Sequence, residues 1–411
     1  MTAPITAFSA VALSTDDLPQ LIARAYAVFD SERPRPVHIS VPLDVLSAPV
    51  SRDWSQDVVV RPGRGAACAS ALDQAVSKLN DAKRPMIIAG GGALEAGAQL
   101  QQLSTRLAAP LFTSVAGKGL LPPQAALNAG SSLCVEPGWQ LIAEADVVLA
   151  VGTEMADTDF WRERLPLNAE LLRVDIDPRK FNDFYPCAVA LHGDARQTLD
   201  GLLERLPAGP RSASAAIAAV AALREAVQAG HGPLQSIHQA ILQRIGAELP
   251  DNAFISTDMT QLAYTGNYAF DSLAPRSWLH PTGYGTLGYG LRGGIGAKFG
   301  APQRPRLVLV GDGGFLYTAQ ELATAVEELD SPLVVLLWNN DALGQIRDDM
   351  QSLDIEPIGV LPRNPDFAAL GRAFGCTVSQ PQSLAELQTD LRHGFKRNGV
   401  TLIELKHACA H

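Results

Sequence analysis

The sequence predicts an α/β protein of doubly wound parallel sheets, and three observations carry that expectation. Short apolar runs alternate with amphipathic helical stretches over residues 69–205. The same layer pattern returns over residues 234–411; such alternation belongs to strand–helix–strand crossovers in a parallel sheet. In the later block an acidic glycine turn, Gly311-Asp312-Gly313-Gly314, ends one apolar run and Asn339-Asn340 ends the next.

A chain of 411 residues is too long for one hydrophobic core, so two or three domains are expected. Residues 1–47 read as the closing piece of a larger α/β unit. DDLPQLIARAYAVFDS sets Leu18, Leu21, Ile22, Ala25 and Val28 at helical spacing. RPVHISVPLDVL reads as a strand, Val37 to Val41, stopped by Pro42. One helix and one strand cannot bury a core alone.

Residues 48–68, rich in Pro, Gly and Arg, read as a linker. The central domain, 69–205, runs from helix CASALDQAVSKLNDA through strand PMIIAGGG, helix GAQLQQLSTRLAA and strand PLFTSV to strands ADVVLAVGTEM and ELLRVDIDP. Its Gly90-Gly91-Gly92 fits either a phosphate cradle or a tight turn. Residues 206–233, rich in Ala, Gly and Ser, read as a helical or flexible linker. The final block, 234–411, carries strands at AFISTD, RLVLVGDG, PLVVLLWNN and TLIELKH, with helices between them.

Hydrophobic content of 47% and charged content of 18% describe an ordinary soluble globular protein. A net charge of -10 gives no basic face for nucleic acid and disfavours an anionic membrane surface. The cysteines, Cys68, Cys134, Cys187, Cys376 and Cys409, are odd in number and form no C-x-x-C pair, so reduced thiols are expected. No signal peptide stands at the start, and no apolar stretch reaches the ~18 residues of a membrane span. These features fit a cytoplasmic enzyme.

The bracketed segment, VGDGGFLYTAQELATAVEELDSPLVVLLWNND, carries the chemistry. Its two strands are joined by one helix, so Asp312 and Asn340 both fall at strand carboxyl ends, where open α/β sheets bind ligands. A carboxylate and an amide oxygen suit a hard cation such as Mg²⁺, which shares its shell with phosphate oxygens. Gly311, Gly313 and Gly314 expose backbone N–H groups at a helix start, which favours a diphosphate. The segment therefore reads as a metal–diphosphate clamp; the plainer alternative is that Asp and Asn end strands as turn formers.

At these residues the chain resembles the thiamine diphosphate enzymes of the acetolactate synthase and 2-oxo-acid decarboxylase superfamily. GDGGFLYTAQELATAV…WNN is similar to their cofactor signature, and the resemblance extends over essentially the whole chain. Residues 1–47 resemble the end of their pyrimidine-binding domain, 69–205 their central domain, and 234–411 their diphosphate-binding domain. The resemblance implies thiamine diphosphate and Mg²⁺ as cofactors, the ion held by Asp312, Asn340 and the backbone carbonyl of Ala342. A second match, GYGTLGYGL at 283–291, implies that the Gly285 carbonyl accepts from the cofactor's aminopyrimidine. There the Leu287 amide donates to the ring while its side chain wedges the cofactor into a bent shape. Gln345 and Ile346 match substrate-facing positions. Arg292-Gly293-Gly294 replaces the family's Pro and two alanines, and each Ala to Gly change costs on the order of 1 kcal/mol in a helix, so a looser helix is expected there.

The resemblance also sets what is missing. The family's activating glutamate lies early in the pyrimidine-binding domain, and no residue here matches it; Glu32 falls too late. An N-terminally truncated enzyme is therefore the expectation, inactive as this chain alone. It is expected to act as a homo-oligomer, dimer or tetramer, or beside a chain that supplies the pyrimidine domain. FAD, carried by acetolactate synthases, is not favoured, because GTEMADTDFW at 152–161 stands where their basic segment is expected. TDMTQLAYTGNYAF, PTGYGTLGYGL and WNNDALGQIRDDM look most like the 5-guanidino-2-oxopentanoate decarboxylases. The substrate expected is a small 2-oxo acid with a cationic tail, read by Asp258 and Asp341. An acetolactate synthase-type carboligase and a non-catalytic binding module are the alternatives.

Overall fold

The computed structural model describes residues 1–57, 60 and 63–410; residues 58, 59, 61 and 62 of the expected linker lie outside them. The chain forms two compact units, one from Met1–Asp81 with Leu171–Leu206, the other from Ala82–Glu170 with the chain from Pro207 onward.

In the first unit, β1 (Phe8–Val11) and β2 (Val37–Ser40) pair in parallel, Phe8 opposite Val37 and Val11 opposite Ser40. Helix Asp17–Ser31 is their crossover. The expectation of one helix and one strand omits β1, whose FSAV is too short to stand out as an apolar run. Val11, Leu13, Ile22, Tyr26, Leu43 and Leu46 of this segment stay exposed. Helix Ala69–Asp81 turns Leu72, Ala75 and Leu79 inward, the spacing of one helical face. It packs on helix Ala195–Arg205, where Leu199 and Leu202 are buried.

Next along the chain come β3 (Pro85–Ala89), β4 (Leu111–Thr113), β5 (Asn128–Gly130) and β6 (Val147–Val151) in the second unit, parallel in the order β5-β4-β3-β6. Then β7 (Glu170–Asp175) and β8 (Val189–His192) pair in parallel, Leu172 opposite Val189. Gly90 and Gly92 pack directly on the backbone at Gly152, where added Cβ atoms would overlap it; close approach accounts for these two glycines. The Ala-rich stretch expected as linker holds helix Ser214–Ala229, with Val220 and Leu223 buried. Arg224 fastens it by donating to the carbonyls of Pro123, Ala125 and Asn128 at 2.9, 3.3 and 2.7 Å.

The larger sheet of the second unit contains β9 (Phe254–Thr257), β10 (Trp278–Leu279), β11 (Arg306–Gly311), β12 (Leu333–Asn339), β13 (Thr377–Ser379) and β14 (Val400–Lys406). All are parallel, in the order β10-β9-β11-β12-β14-β13. Side chains alternate between its faces. Leu307, Leu309, Leu336 and Trp338 join a core with helices Pro233–Glu248 and Leu384–Lys396. Val308, Val310, Val335 and Leu337 join a second core with helices Tyr289–Gly300 and Glu321–Glu328. Both faces are covered, which is why these strands read as unbroken apolar runs. Among the described residues no helix is long and apolar enough to cross a membrane.

Candidate active site

The order of the larger sheet reverses at one place. From β9 the chain moves to β10 on one side; from β11 it moves to β12 on the other. Such a switch point opens a crevice beyond the strand carboxyl ends. Asp258 follows β9, and Asp312 follows β11.

Asp258 is fully buried. Its Oδ1 accepts from the N–H of Met259 (2.9 Å) and Gly288 (3.2 Å), and its Oδ2 from Gly290 (3.0 Å). Burial pushes its carboxyl above the ordinary range, and the three N–H groups work against that shift. The carboxylate thus anchors the 283–291 loop to the end of β9. Gly288 has φ +82 and a Cβ there would overlap Thr318, so only glycine suits the turn. Helix Tyr289–Gly300 then forms without a break. The glycines expected to loosen it serve close packing: a Cβ on Gly294 would overlap Val308, and one on Gly293 would press on Ser256. Within the loop, neither the Gly285 carbonyl nor the Leu287 N–H meets a partner among the described residues. Leu287 is half-buried.

Asp312 is 2% exposed and opens the short helix Asp312–Leu316. Gly311, which ends β11, sits opposite Trp338, so Asp312 and the Asn339-Asn340 end of β12 share one edge. The turn after β12 is tight: Asp341 has φ +52 and donates its N–H to Asn339 Oδ1 at 3.1 Å, and Ala342 donates to Asn340 Oδ1 at 3.3 Å. Asn340 also reaches Gln261 Oε1 through Nδ2 at 3.4 Å. Burial pushes the Asp312 carboxyl upward, with Asp341 adding to the shift and Asn364 and Gly313 opposing it. Asn364 had no signal in the sequence. Its Nδ2 donates to Asp312 Oδ2 at 2.7 Å, Asp341 Oδ1 at 3.0 Å and Asn339 Oδ1 at 3.3 Å, while its own Oδ1 is buried without a partner among the described residues.

This donor set fits the cation and cofactor implied by the resemblance. A carboxylate, amide oxygens and the Ala342 carbonyl, which meets no donor among the described residues, are hard oxygen ligands of the kind Mg²⁺ takes. The N–H group of Asn364 stands among three oxygens in the manner of a cation. Among the described residues no cluster of His, Cys, Asp or Glu offers a closed metal cage, which leaves the shell to be completed by a ligand's oxygens.

Beside the clamp lies a cavity of about 490 Å³. Gln345, Gly285, Tyr264, His280, Thr158 and Trp161 are among its walls. It therefore meets both the expected pyrimidine loop and the helix after Asn340. Gln345 bonds Asp349 Oδ1 at 2.8 Å, and Ile346 beside it is 48% exposed. His280 is held by Thr257 Oγ1 at 2.6 Å; burial, with Lys118 adding, lowers its pKa to about 4, so the imidazole is neutral at pH 7. Lys118 is buried and donates Nζ to the carbonyls of Gly266 (3.2 Å), Asn267 (2.9 Å) and Phe270 (2.6 Å). It thereby closes the end of helix Gln261–Ala269, which carries Tyr264 into the cavity wall. Lys118 and Trp161 escaped the sequence reading because both are remote in sequence from the cofactor signature, and His280 because a lone histidine before the 281–291 match carries no pattern of its own.

Residues 258–405 match the thiamine pyrophosphate enzyme C-terminal binding domain, and residues 72–202 match the thiamine pyrophosphate enzyme central domain. The probable 2-ketoarginine decarboxylase AruI of Pseudomonas aeruginosa is 77% identical over 410 residues, covering 100% of this chain and 73% of that protein. The acetolactate synthase isozyme 1 large subunit of Escherichia coli is 29% identical over 414 residues, 98% of this chain and 72% of its own length. A probable acetolactate synthase large subunit of Methanocaldococcus jannaschii is 26% identical over 426 residues, 98% of this chain and 71% of its own. With both matched domains built on the sheets described above, the chain belongs to the thiamine pyrophosphate-dependent enzymes, in the family of 2-oxo-acid decarboxylases related to acetolactate synthases.

Proposed function

We propose that the chain serves the Mg²⁺- and thiamine diphosphate-dependent, non-oxidative decarboxylation of 5-guanidino-2-oxopentanoate, which is 2-ketoarginine. The observation that carries this reading is the 77% identity, along the whole chain, to a protein named for that reaction. Asp312, Asn340 and the Ala342 carbonyl would hold the ion, and the Gly285 carbonyl and Leu287 N–H the aminopyrimidine. When bound, the cofactor supplies the electron sink for the pair left behind as carbon dioxide departs. The chain's own residues bind and orient. Asp258 fixes the 283–291 loop, Lys118 fixes the helix that bears Tyr264, and the neutral His280 adds no charge to the cavity. Gln345 stands where the chain leaves the clamp for the cavity.

The same reading has the chain act as a homo-oligomer, or beside another chain that supplies a pyrimidine-binding domain. The exposed Val11, Leu13, Leu43 and Leu46 support a covering partner for residues 1–47, since so many exposed large apolar side chains in one short segment favour a contact site.

The test is product analysis with thiamine diphosphate and Mg²⁺, on the chain alone and with a pyrimidine-binding domain added in trans. Release of carbon dioxide and 4-guanidinobutanal in either arm supports the reading. Preferential turnover of pyruvate to a C–C bonded product, or no turnover in both arms, refutes it.

A further inference from the structure

The segment GTEMADTDFW, residues 152–161, contributes to one wall of the cavity. Thr158 and Trp161 line the cavity from this segment. Trp161 adopts φ +49 and Met155 φ +51, left-handed backbone that side chains of this size rarely take. Trp161 meets Tyr264 edge-on at 6.1 Å and 81°, and Tyr268 at 6.2 Å and 88°. Even so it remains 48% exposed. Strain and exposure together make a poor structural residue, and they fit one kept for a ligand.

Between Thr158 and Trp161 sits Asp159. Its Oδ1 accepts one hydrogen bond, from the N–H of Val115 at 3.3 Å, and Val115 is itself a cavity residue. No ion pair to Asp159 occurs among the described residues. Burial raises its pKa to about 6, with Asp157 adding to the shift. No lysine or arginine lines the cavity. The adjacent cation, Arg162, lies over the Trp139 ring at 4.6 Å and is committed there. A half-buried carboxylate without a cation is stabilised when a ligand provides one.

Other carboxylates near the crevice are already engaged. Asp258 is saturated by three backbone N–H groups. Asp341 accepts from Asn364 beside the clamp. Asp348 accepts from Gln261 and Arg347. Asp159 is set apart by its place: half-buried, it lies between two cavity residues, Thr158 and Trp161, and against a third, Val115.

We propose that Asp159 and Trp161 form the subsite for the substrate's cationic tail and set a preference for a guanidinium. This rests on the decarboxylase reading and deepens it. A guanidinium is planar, weakly hydrated and stacks on aromatic rings, and it pairs with a carboxylate through parallel hydrogen bonds. A ureido group has the same shape without the charge. A primary ammonium carries the charge as a compact, strongly hydrated point and gains less from the indole. The cavity therefore discriminates by charge at Asp159 and by planarity at Trp161.

Binding to the full chain, with thiamine diphosphate and Mg²⁺ present, tests this directly. The probes are 5-guanidinopentanoate and its neutral counterpart 5-ureidopentanoate, measured by calorimetry. The unaltered chain is expected to hold the guanidino probe about tenfold more tightly, the scale of one charged hydrogen-bonded contact. Asp159→Asn should bring the two probes level by weakening only the guanidino one. Trp161→Ala should weaken both, and Trp161→Phe should restore most of the binding, which a merely structural role would not do. Equal affinity of the unaltered chain for both probes, or a ratio unmoved by Asp159→Asn, overturns the subsite. Decarboxylation is scored separately. Probe discrimination through Asp159 without any 4-guanidinobutanal keeps the subsite and discards the decarboxylase reading. Turnover that Asp159→Asn and Trp161→Ala leave unchanged does the reverse.

Discussion

Asn364 donates its side-chain amide to Asp312 Oδ2 at 2.7 Å, joining a residue of the irregular segment before helix Phe367–Ala373 to the carboxylate that opens the helix after β11. With Asp341 and Asn339 also accepting from the same nitrogen, the N–H group occupies the oxygen-lined place that a cation needs. A cation arriving there has to displace it.

Removing Asn364 should therefore favour the ion. Asn364→Ala is expected to tighten Mg²⁺ several-fold in the presence of thiamine diphosphate, since a hydrogen bond to a charged group contributes about 1.5 kcal/mol or more to the ion-free state. Asp312→Ala should abolish the dependence of cofactor affinity on Mg²⁺ altogether. Calorimetric titrations with and without EDTA report both. Mg²⁺ affinity unchanged by Asn364→Ala would show that the amide does not compete.

Two glycines of one helix should respond in opposite directions. Gly294 faces Val308, and an added Cβ would overlap it; Gly294→Ala is expected to lower stability by about 1–3 kcal/mol through overpacking. Gly296, two residues further along the helix, is exposed with nothing within 4 Å of an added Cβ. There the gain in helix propensity should stabilise by about 0.5–1 kcal/mol. Denaturant unfolding of both variants provides the comparison, and equal effects would contradict the packing described for this helix.

The carboxyl of Asp159 is raised to about 6, so the folded chain prefers it neutral. For an acid whose folded pKa is raised, protonation favours the fold fully below the unfolded pKa, near 3.8, and that contribution is lost as pH rises through about 6. The groups that act on it or feel its field are Asp157 and the buried Cys134, whose thiol is pushed up to about 12 and stays neutral. Asp159→Asn removes the cost of ionisation. Its melting temperature should exceed that of the unaltered chain at pH 7.5, by the equivalent of about 2 kcal/mol, and the gap should close as pH falls towards 4. Thermal unfolding across that range, without ligand, checks the sign. A gap that persists at pH 4 would mean that burial of this carboxylate is not its source.

The legible part of the fold was its thick strands. PMIIA, RLVLVG and LVVLLWN are covered on both faces and show as apolar runs. The strands FSAV, NAG, VALH, WL and TVS were not legible. They are two to four residues long and owe their conformation to a paired neighbour more than to their own side chains. At the site, Asp312 and Asn340 could be placed on one edge because a single crossover joins their strands. Asn364, Lys118, Asp159 and Trp161 could not, because only tertiary packing brings them near that edge. Asp258 was read as a tail-binding residue from its place after β9; its strand-end position is as expected, but the carboxylate faces the chain's own N–H groups.

That carboxylate gives the 283–291 loop two unequal ends. At one end Gly288 and Gly290 hang on Asp258, and the Gly290 carbonyl also receives Ser256 Oγ at 2.9 Å. At the other, Tyr284 is 95% exposed and, among the described residues, the only backbone bond fixing Gly285 is to Pro281, at 3.0 Å. The loop is thus a cantilever. Amide protons should exchange with solvent slowly at 288 and 290 and quickly at 283–285. A ligand can be admitted by lifting the tip alone, while the root, the helix behind it and the sheet stay as they are.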